Sequence, residues 1–210
     1  MALLPEPPRA QAQALLRALA ARLSLAELVG EPETLVVDST LLSVLHPRQT
    51  KQSAGFEAAA WVRWDSFSVY GVKLHLLCST NRVPISYELT PASTAEVRLA
   101  QELLDGAGLG DGVARRLLGD LAYRSGPLEE ALAEAGVMLV TERAEQRGER
   151  QQVEVAFASL KREFRLEETL ARTLAGLATR VAAKLTAYTY AFLVNRMLGG
   201  PQGHIKELWA

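Results

Sequence analysis

The stretch 70–89 constrains this chain most. In YGVKLHLLCS, Val72, Leu74, Leu76 and Cys78 fall on one face of a strand, and Lys73 and His75 on the other. Asn81 and Arg82 form a turn, and VPISYEL returns as a second strand, so the pattern predicts a hairpin. Upstream, Leu35, Val36 and Val37 make the short apolar run of a buried strand, expected to end at Asp38. A carboxylate placed there is costly unless something pairs with it. Residues 43–68 read as irregular, basic and aromatic. After the hairpin a helix is expected over 94–104 with Ser93 or Thr94 as its cap, then a loop over 106–112. RRLLGD reads as a strand ending at Gly119 and Asp120, and a helix over 125–135 stops at Gly136. VMLVT is a further strand, and 142–149 a charged connection. Helices over 151–164 and 170–198 follow, the last ended by Gly199, Gly200 and Pro201. This succession of strand, hairpin, helix, strand, helix, strand and helices points to one mixed sheet with helices on both faces.

A length of 210 residues fits one domain. Cys78 is the single cysteine, so an intrachain disulfide is excluded and a cytoplasmic setting is the default. No apolar run approaches the roughly 20 residues that a membrane-spanning helix needs, and the start is a poor signal peptide. Many alanines, with arginine well ahead of lysine, fit a bacterial gene. Leu15, Leu16, Leu19, Leu23 and Leu28 lie largely on one side of a helix that Gly30 and Pro32 end. The net charge of −1 hides a local excess between residues 46 and 82. There Arg48, Lys51, Arg63, Lys73 and Arg82 face only Glu57 and Asp65, which suits a phosphate track. Trp61, Trp64 and Phe67 are interleaved with these cations. They either stack on unpaired bases or cover the sheet.

Three carboxylates stand out by position: Asp38, Asp120 and Glu154. In RQQVEVAFASLK, Arg150, Glu154 and Lys161 follow the pattern R-x3-E-x6-K, and steps of four and seven place them on one helix face. Val153, Phe157, Leu160 and Phe164 form the adjacent apolar stripe. Singly, each acid reads more readily as a turn, cap or solvated helix residue than as a ligand. Together, two strand ends and one helix face can gather three carboxylates, and like charges so placed require cations. Hard divalent ions, Mg2+ or Mn2+, match oxygen ligands, and two of them can activate a water or a 3′-hydroxyl at a phosphodiester.

In these pieces the chain resembles the DDE transposases of bacterial insertion sequences. VDST matches the strand with the first Asp, at Asp38. Gly71, Lys73 and His75 match G-x-K-x-H, and ELTPAS matches the segment that closes the hairpin. LLGDLAYRS matches the strand with the second Asp, Asp120, followed by Tyr123. R-x3-E-x6-K matches the signature around the third carboxylate, 154 − 120 = 34 residues on. The resemblance covers about 34–198 and implies a ribonuclease-H-like fold, with a mixed five-stranded sheet and helices on both faces. It implies that Asp38, Asp120 and Glu154 are catalytic and hold two Mg2+ or Mn2+ ions. It implies that Arg150, Lys161, Lys73, His75, Arg147, Tyr123, Trp61 and Trp64 contact DNA, meaning transposon ends and target. A homo-oligomer on DNA, no membrane, and a bacterial cytoplasm with nucleoid association are implied as well.

The chain departs from the fuller pattern at several places. Arg147 stands where a tyrosine precedes the arginine of the signature, and Leu121 where a lysine often follows the second Asp. Ala95 and Glu96 replace a His-Asp pair common near the start of the helix after the hairpin. The expected organisation is a helical N-terminal remnant (1–33), the catalytic domain (34–198) and a tail (199–210). The short N-terminal part keeps a second reading open: a truncated, catalytically silent transposase that oligomerises as an inhibitor or is a relic. A third is another ribonuclease-H-like nuclease.

Overall fold

The computed structural model describes residues 34–44, 55–64, 66–106, 115–141, 147–200 and 204–209. The N-terminal segment 1–33 lies outside the described residues. The strands are β1 (Thr34–Ser43), β2 (Ala60–Trp64), β3 (Phe67–Ser79), β4 (Pro84–Pro91), β5 (Arg116–Gly119) and β6 (Met138–Thr141). The α-helices are α1 (Ala100–Gly106), α2 (Gly126–Glu134), α3 (Arg147–Arg162) and α4 (Leu174–Met197).

β3 is the spine of the sheet. β1 lies antiparallel along its Gly71–Ser79 part. On the opposite edge β2 pairs with Phe67–Gly71 and β4 with Val72–Cys78. β5 then joins β1 in parallel, and β6 joins β5 in parallel. The order is therefore β2-β3-β1-β5-β6, with β4 on β3. Gly71 stands where β3 passes from β2 to β4. A Cβ there would lie 2.3 Å from the Leu42 carbonyl oxygen, so only glycine permits this approach of β1.

The alternation along β3 sorts residues into two cores. Val72, Leu74, Leu76 and Cys78 pack with Val36, Leu118 and the inner faces of α3 and α4, among them Val153, Phe157, Leu160, Leu185, Tyr188 and Phe192. On the other face Leu77 packs with Leu35, Val37, Leu117, Leu99 and Leu103 of the α1 region, and Leu128 and Leu132 of α2. Helices thus cover both faces, as expected. Each fully buried side chain of this size contributes about 1.5–3 kcal/mol.

Several boundaries differ from the sequence expectation. The sheet has six strands, not five, because Ala60–Trp64 pairs with the early part of β3 inside a stretch read as irregular. β1 does not end at Asp38. It runs on through Ser43, because β3 offers partners as far as Gly71. The helix expected over 94–104 splits into a 3-10 turn, Glu96–Arg98, and α1. Ala95, with φ −70° and ψ 133°, precedes that turn in extended conformation, and no side chain caps it. α3 begins at Arg147, earlier than expected. α4 begins after Thr173, whose Oγ1 accepts the Gly176 N–H at 3.1 Å. Beyond α4, Gly199 turns the chain at φ 73°, and Ile205 returns into the α3–α4 core.

Candidate active site

The parallel register brings the first two acids together. Thr34, Leu35 and Val36 stand beside Arg116, Leu117 and Leu118, and the same offset carried forward aligns Asp38 with Asp120. Asp38 sits within β1, and its Oδ1 accepts the Ser39 N–H at 2.8 Å. Asp120 leaves β5 as the cap of the 3-10 turn Leu121–Tyr123, with Oδ1 accepting the Ala122 N–H at 2.9 Å. The turn-cap reading of Asp120 is therefore met, and the cap leaves its other carboxylate oxygen, Oδ2, outside that bond. Burial pushes the Asp38 carboxyl up to about 7; the Ser39 bond and Arg150 oppose the rise, and Asp120 and Glu96 add to it. Asp120 is also raised, first by burial and then by Glu96, against the Ala122 bond, Arg150 and Lys73.

α3 brings up the third acid. Val153, Ala156, Phe157 and Leu160 are buried, which turns Arg150 and Glu154 away from the core. The N-terminal half of α3 is tied to the sheet twice. Arg116 Nη2 reaches Glu149 at 3.4 Å, and Arg82 in the hairpin turn donates to Gln152 at 2.9 Å. Arg150 Nη2 pairs with Glu154 Oε1 at 3.4 Å, with both side chains well exposed. Lys161 turns instead to Glu167, at 2.8 Å. Arg150 thus bonds Glu154 while both aspartates feel its charge. Among the described residues, no three His, Cys, Asp or Glu side chains stand close enough to hold a metal ion jointly. The structure brings Asp38 and Asp120 together and leaves Glu154 on Arg150.

The opposite face of β3 is different from expectation. Lys73 Nζ lies 3.1 Å from Glu96 Oε1 and 3.3 Å from the Thr94 carbonyl. Glu96 Oε1 also accepts from Ser39 Oγ at 2.7 Å. Burial would raise the Glu96 carboxyl, but the bonds from Ser39 and Lys73 hold it below the usual range. His75 was expected to face DNA, yet it is fully buried, with Nε2 2.8 Å from Thr90 Oγ1. Burial lowers its pKa to about 4, so it stays neutral. Tyr123 is likewise buried rather than presented to DNA. Its ring packs against Gly119, and its hydroxyl has no hydrogen-bond partner among the described residues. Both are covered because the chain from Pro91 to α1 folds back over this end of the sheet. Trp61 is half-exposed and rests on Tyr70, with ring centroids 5.3 Å apart. Arg48, Lys51 and the side chains of Trp64, Phe67 and Arg147 lie outside the described residues.

Glu96 is the site residue that sequence reasoning passed over. It was counted as a departure, yet it keeps a carboxylate where the usual His-Asp pair ends in one. That retained acidity was the available signal.

The donor set of Asp38 and Asp120 is all oxygen. Each carboxyl is raised by burial, and each accepts a backbone N–H. Such a pair fits a hard divalent cation, whose charge would relieve the cost of keeping both ionised.

A mixed sheet with antiparallel β4-β3-β1 continuing into parallel β5 and β6 defines a ribonuclease-H-like fold. The cryo-EM structure of a piggyBac transposase synaptic complex with hairpin DNA shares this fold. Its TM-score is 0.51 at 11% identity, over 96% of this chain and 57% of that one. The catalytic core domain of BIV integrase (TM-score 0.47, 16% identity, 85% of this chain and 93% of that one) superposes less well. So does the catalytic domain of Mos1 mariner transposase (TM-score 0.42, 14% identity, 90% and 93%). No curated protein sequence matches the chain. Residues 30–190 match the transposase DDE domain, and the chain belongs to that family. It spans little more than half the length of the piggyBac transposase chain.

Proposed function

We propose that this chain is the catalytic domain of an insertion-sequence transposase, hydrolysing a DNA phosphodiester and joining the freed 3′-OH to target DNA. The observation that carries the reading is that Asp38 and Asp120 each lie two residues past the paired positions Val36 and Leu118 of adjacent strands, within a chain of the DDE family. Asp38 and Asp120 are the residues that would hold Mg2+ or Mn2+, with Glu154 completing the set. When bound, two such ions supply an activated water or 3′-hydroxyl and neutralise charge on the leaving oxygen. Glu154 joins the aspartates by leaving Arg150, whose planar guanidinium is then available to a DNA phosphate as a bidentate fork. Lys161 and Lys73 act as point charges on the phosphates, and Trp61 offers a stacking face to an unpaired base. Residues 34–198 are the catalytic unit. The partners are transposon ends and target DNA, engaged by a homo-oligomer in the bacterial cytoplasm at the nucleoid. No helix among the described residues is long and apolar enough to cross a membrane.

The test is a strand-transfer assay. Full-length protein, DNA carrying the element's terminal inverted repeats and a plasmid target are incubated with Mn2+ or with EDTA. Joined end–plasmid product in Mn2+ alone supports the reading, and no product with verified ends contradicts it.

A second reading, a silent copy that joins active copies and inhibits them, draws on the Arg150–Glu154 pair and the absence of a three-residue metal cluster among the described residues. Under it, wild-type protein shows no metal-dependent cleavage but co-purifies with an intact transposase and lowers its activity.

A further inference from the structure

We infer that Glu96 is a positioning residue, holding Lys73 and the Ser39–Asp38 pair in place from the far side of the sheet rather than ligating metal itself. The inference rests on the transposase reading of the site. Thr94 N–H closes a turn on the Pro91 carbonyl, Ala95 is extended, and the 3-10 turn Glu96–Arg98 follows. That path lays Glu96 over the row where Ser39, His75 and Glu88 stand side by side in register on β1, β3 and β4.

Two donors converge on one oxygen of Glu96. Ser39 Oγ is 2.7 Å from Oε1 and Lys73 Nζ is 3.1 Å from it. The Ser39 N–H in turn donates to Asp38 Oδ1 at 2.8 Å. A continuous chain therefore runs from Glu96 through Ser39 to Asp38. The second arm fixes Lys73, whose ammonium also bonds the Thr94 carbonyl at 3.3 Å. Two of its three N–H groups are thus committed to described residues. Asp120 feels the Lys73 charge, which places that ammonium within electrostatic reach of the site.

The acids divide into two kinds. Asp38 and Asp120 accept bonds from backbone N–H groups and feel Arg150 only through its charge, so among the described residues neither is held in a contact ion pair. Glu96 is already compensated by Lys73, with both side chains only 13% and 14% exposed. A carboxylate neutralised by a resident lysine is a poor candidate for a metal ligand and a good anchor for that lysine. Partners of this kind orient the ligating groups and the cations beside them.

The test compares full-length wild type with Glu96→Gln, Lys73→Met and the double variant. Nicking is measured against DNA concentration and against Mn2+ concentration. Positioning predicts that Glu96→Gln lowers kcat/KM roughly 10–100-fold with the half-saturating Mn2+ unchanged. It also predicts that the double variant loses less than the product of the two single losses, because both changes cut the Lys73 arm while only Glu96→Gln also cuts the Ser39 arm. An unchanged kcat/KM, a Mn2+ requirement raised about 10-fold or more, or losses that multiply in the double variant each overturn the inference. Should Glu96→Gln not fold, Ser39→Ala tests the other arm: kcat/KM falls at unchanged Mn2+ requirement, and an unchanged kcat/KM contradicts positioning. A wild type that does not nick counts against the proposed function alone. The inference is then read from equilibrium DNA binding, which Glu96→Gln weakens through Lys73; unchanged binding overturns it.

Discussion

Asp38 carries the largest electrostatic cost at the site, and that cost makes a signed prediction. Its carboxyl is raised from the ordinary 3.8 to about 7 in the folded protein. The folded state therefore holds this proton more tightly than the unfolded chain does. The associated stability is full below about pH 4 and is lost as pH rises through about 7. Asp120, also raised, acts in the same sense. His75, lowered to about 4, acts oppositely, losing stability as pH falls below its ordinary 6.5, so variant and wild type must be compared at each pH. Asp38→Asn should make the metal-free protein more stable than wild type at pH 8, by roughly 1–3 kcal/mol, and should change little at pH 4. Urea titrations at the two pH values check this. A variant less stable than wild type at pH 8 would contradict the assignment of burial as the dominant cause.

At the level of elements, β3 and α4 give the clearest expectations. Gly71→Ala forces a Cβ against the Leu42 carbonyl oxygen, where only 2.3 Å is available. The β1–β3 ladder must open there, at a cost of about 1–3 kcal/mol, read as a lower Tm. Thr173→Ala removes the α4 cap that accepts the Gly176 N–H, and should cost about 1 kcal/mol without affecting DNA cleavage. The alternation of β3 was legible because one face is apolar at every second position from Val72 to Cys78. The stripe of α3 was legible for the same reason, at helical period. The extension of β1 past Asp38 was not, since Ser39 and Thr40 carry no apolar signal and their place comes from pairing with His75 and Leu74. β2 was hidden because Trp61, Arg63 and Trp64 read as a nucleic-acid surface before they read as a strand. His75 and Tyr123 looked available because the fold-back that buries them depends on residues 91–99, far from both in sequence.

For the molecule as a whole, sequence spacing could place Glu154 only relative to Asp120, whereas the meeting of Asp38 and Asp120 comes from the parallel pairing of β1 with β5. That pairing makes the site a property of the complete sheet. A ligand that binds it stabilises the entire fold, by about 2.7 kcal/mol at a concentration 100 times its Kd. Mn2+ should therefore raise the Tm of wild-type protein, more at pH 8 than at pH 5, where Asp38 is largely protonated. EDTA should reverse the rise, and Asp120→Asn should reduce it.

The most direct test of the central claim is metal-dependent nicking of DNA carrying the element's terminal repeats, by wild type and by Asp120→Ala side by side. Wild type should cleave in Mg2+ or Mn2+ and not in EDTA, and the variant should lose at least about 1,000-fold, the scale on which removing a group from a tightly coupled catalytic set acts. Equal cleavage by the two proteins, or none by wild type on verified ends, would contradict that claim.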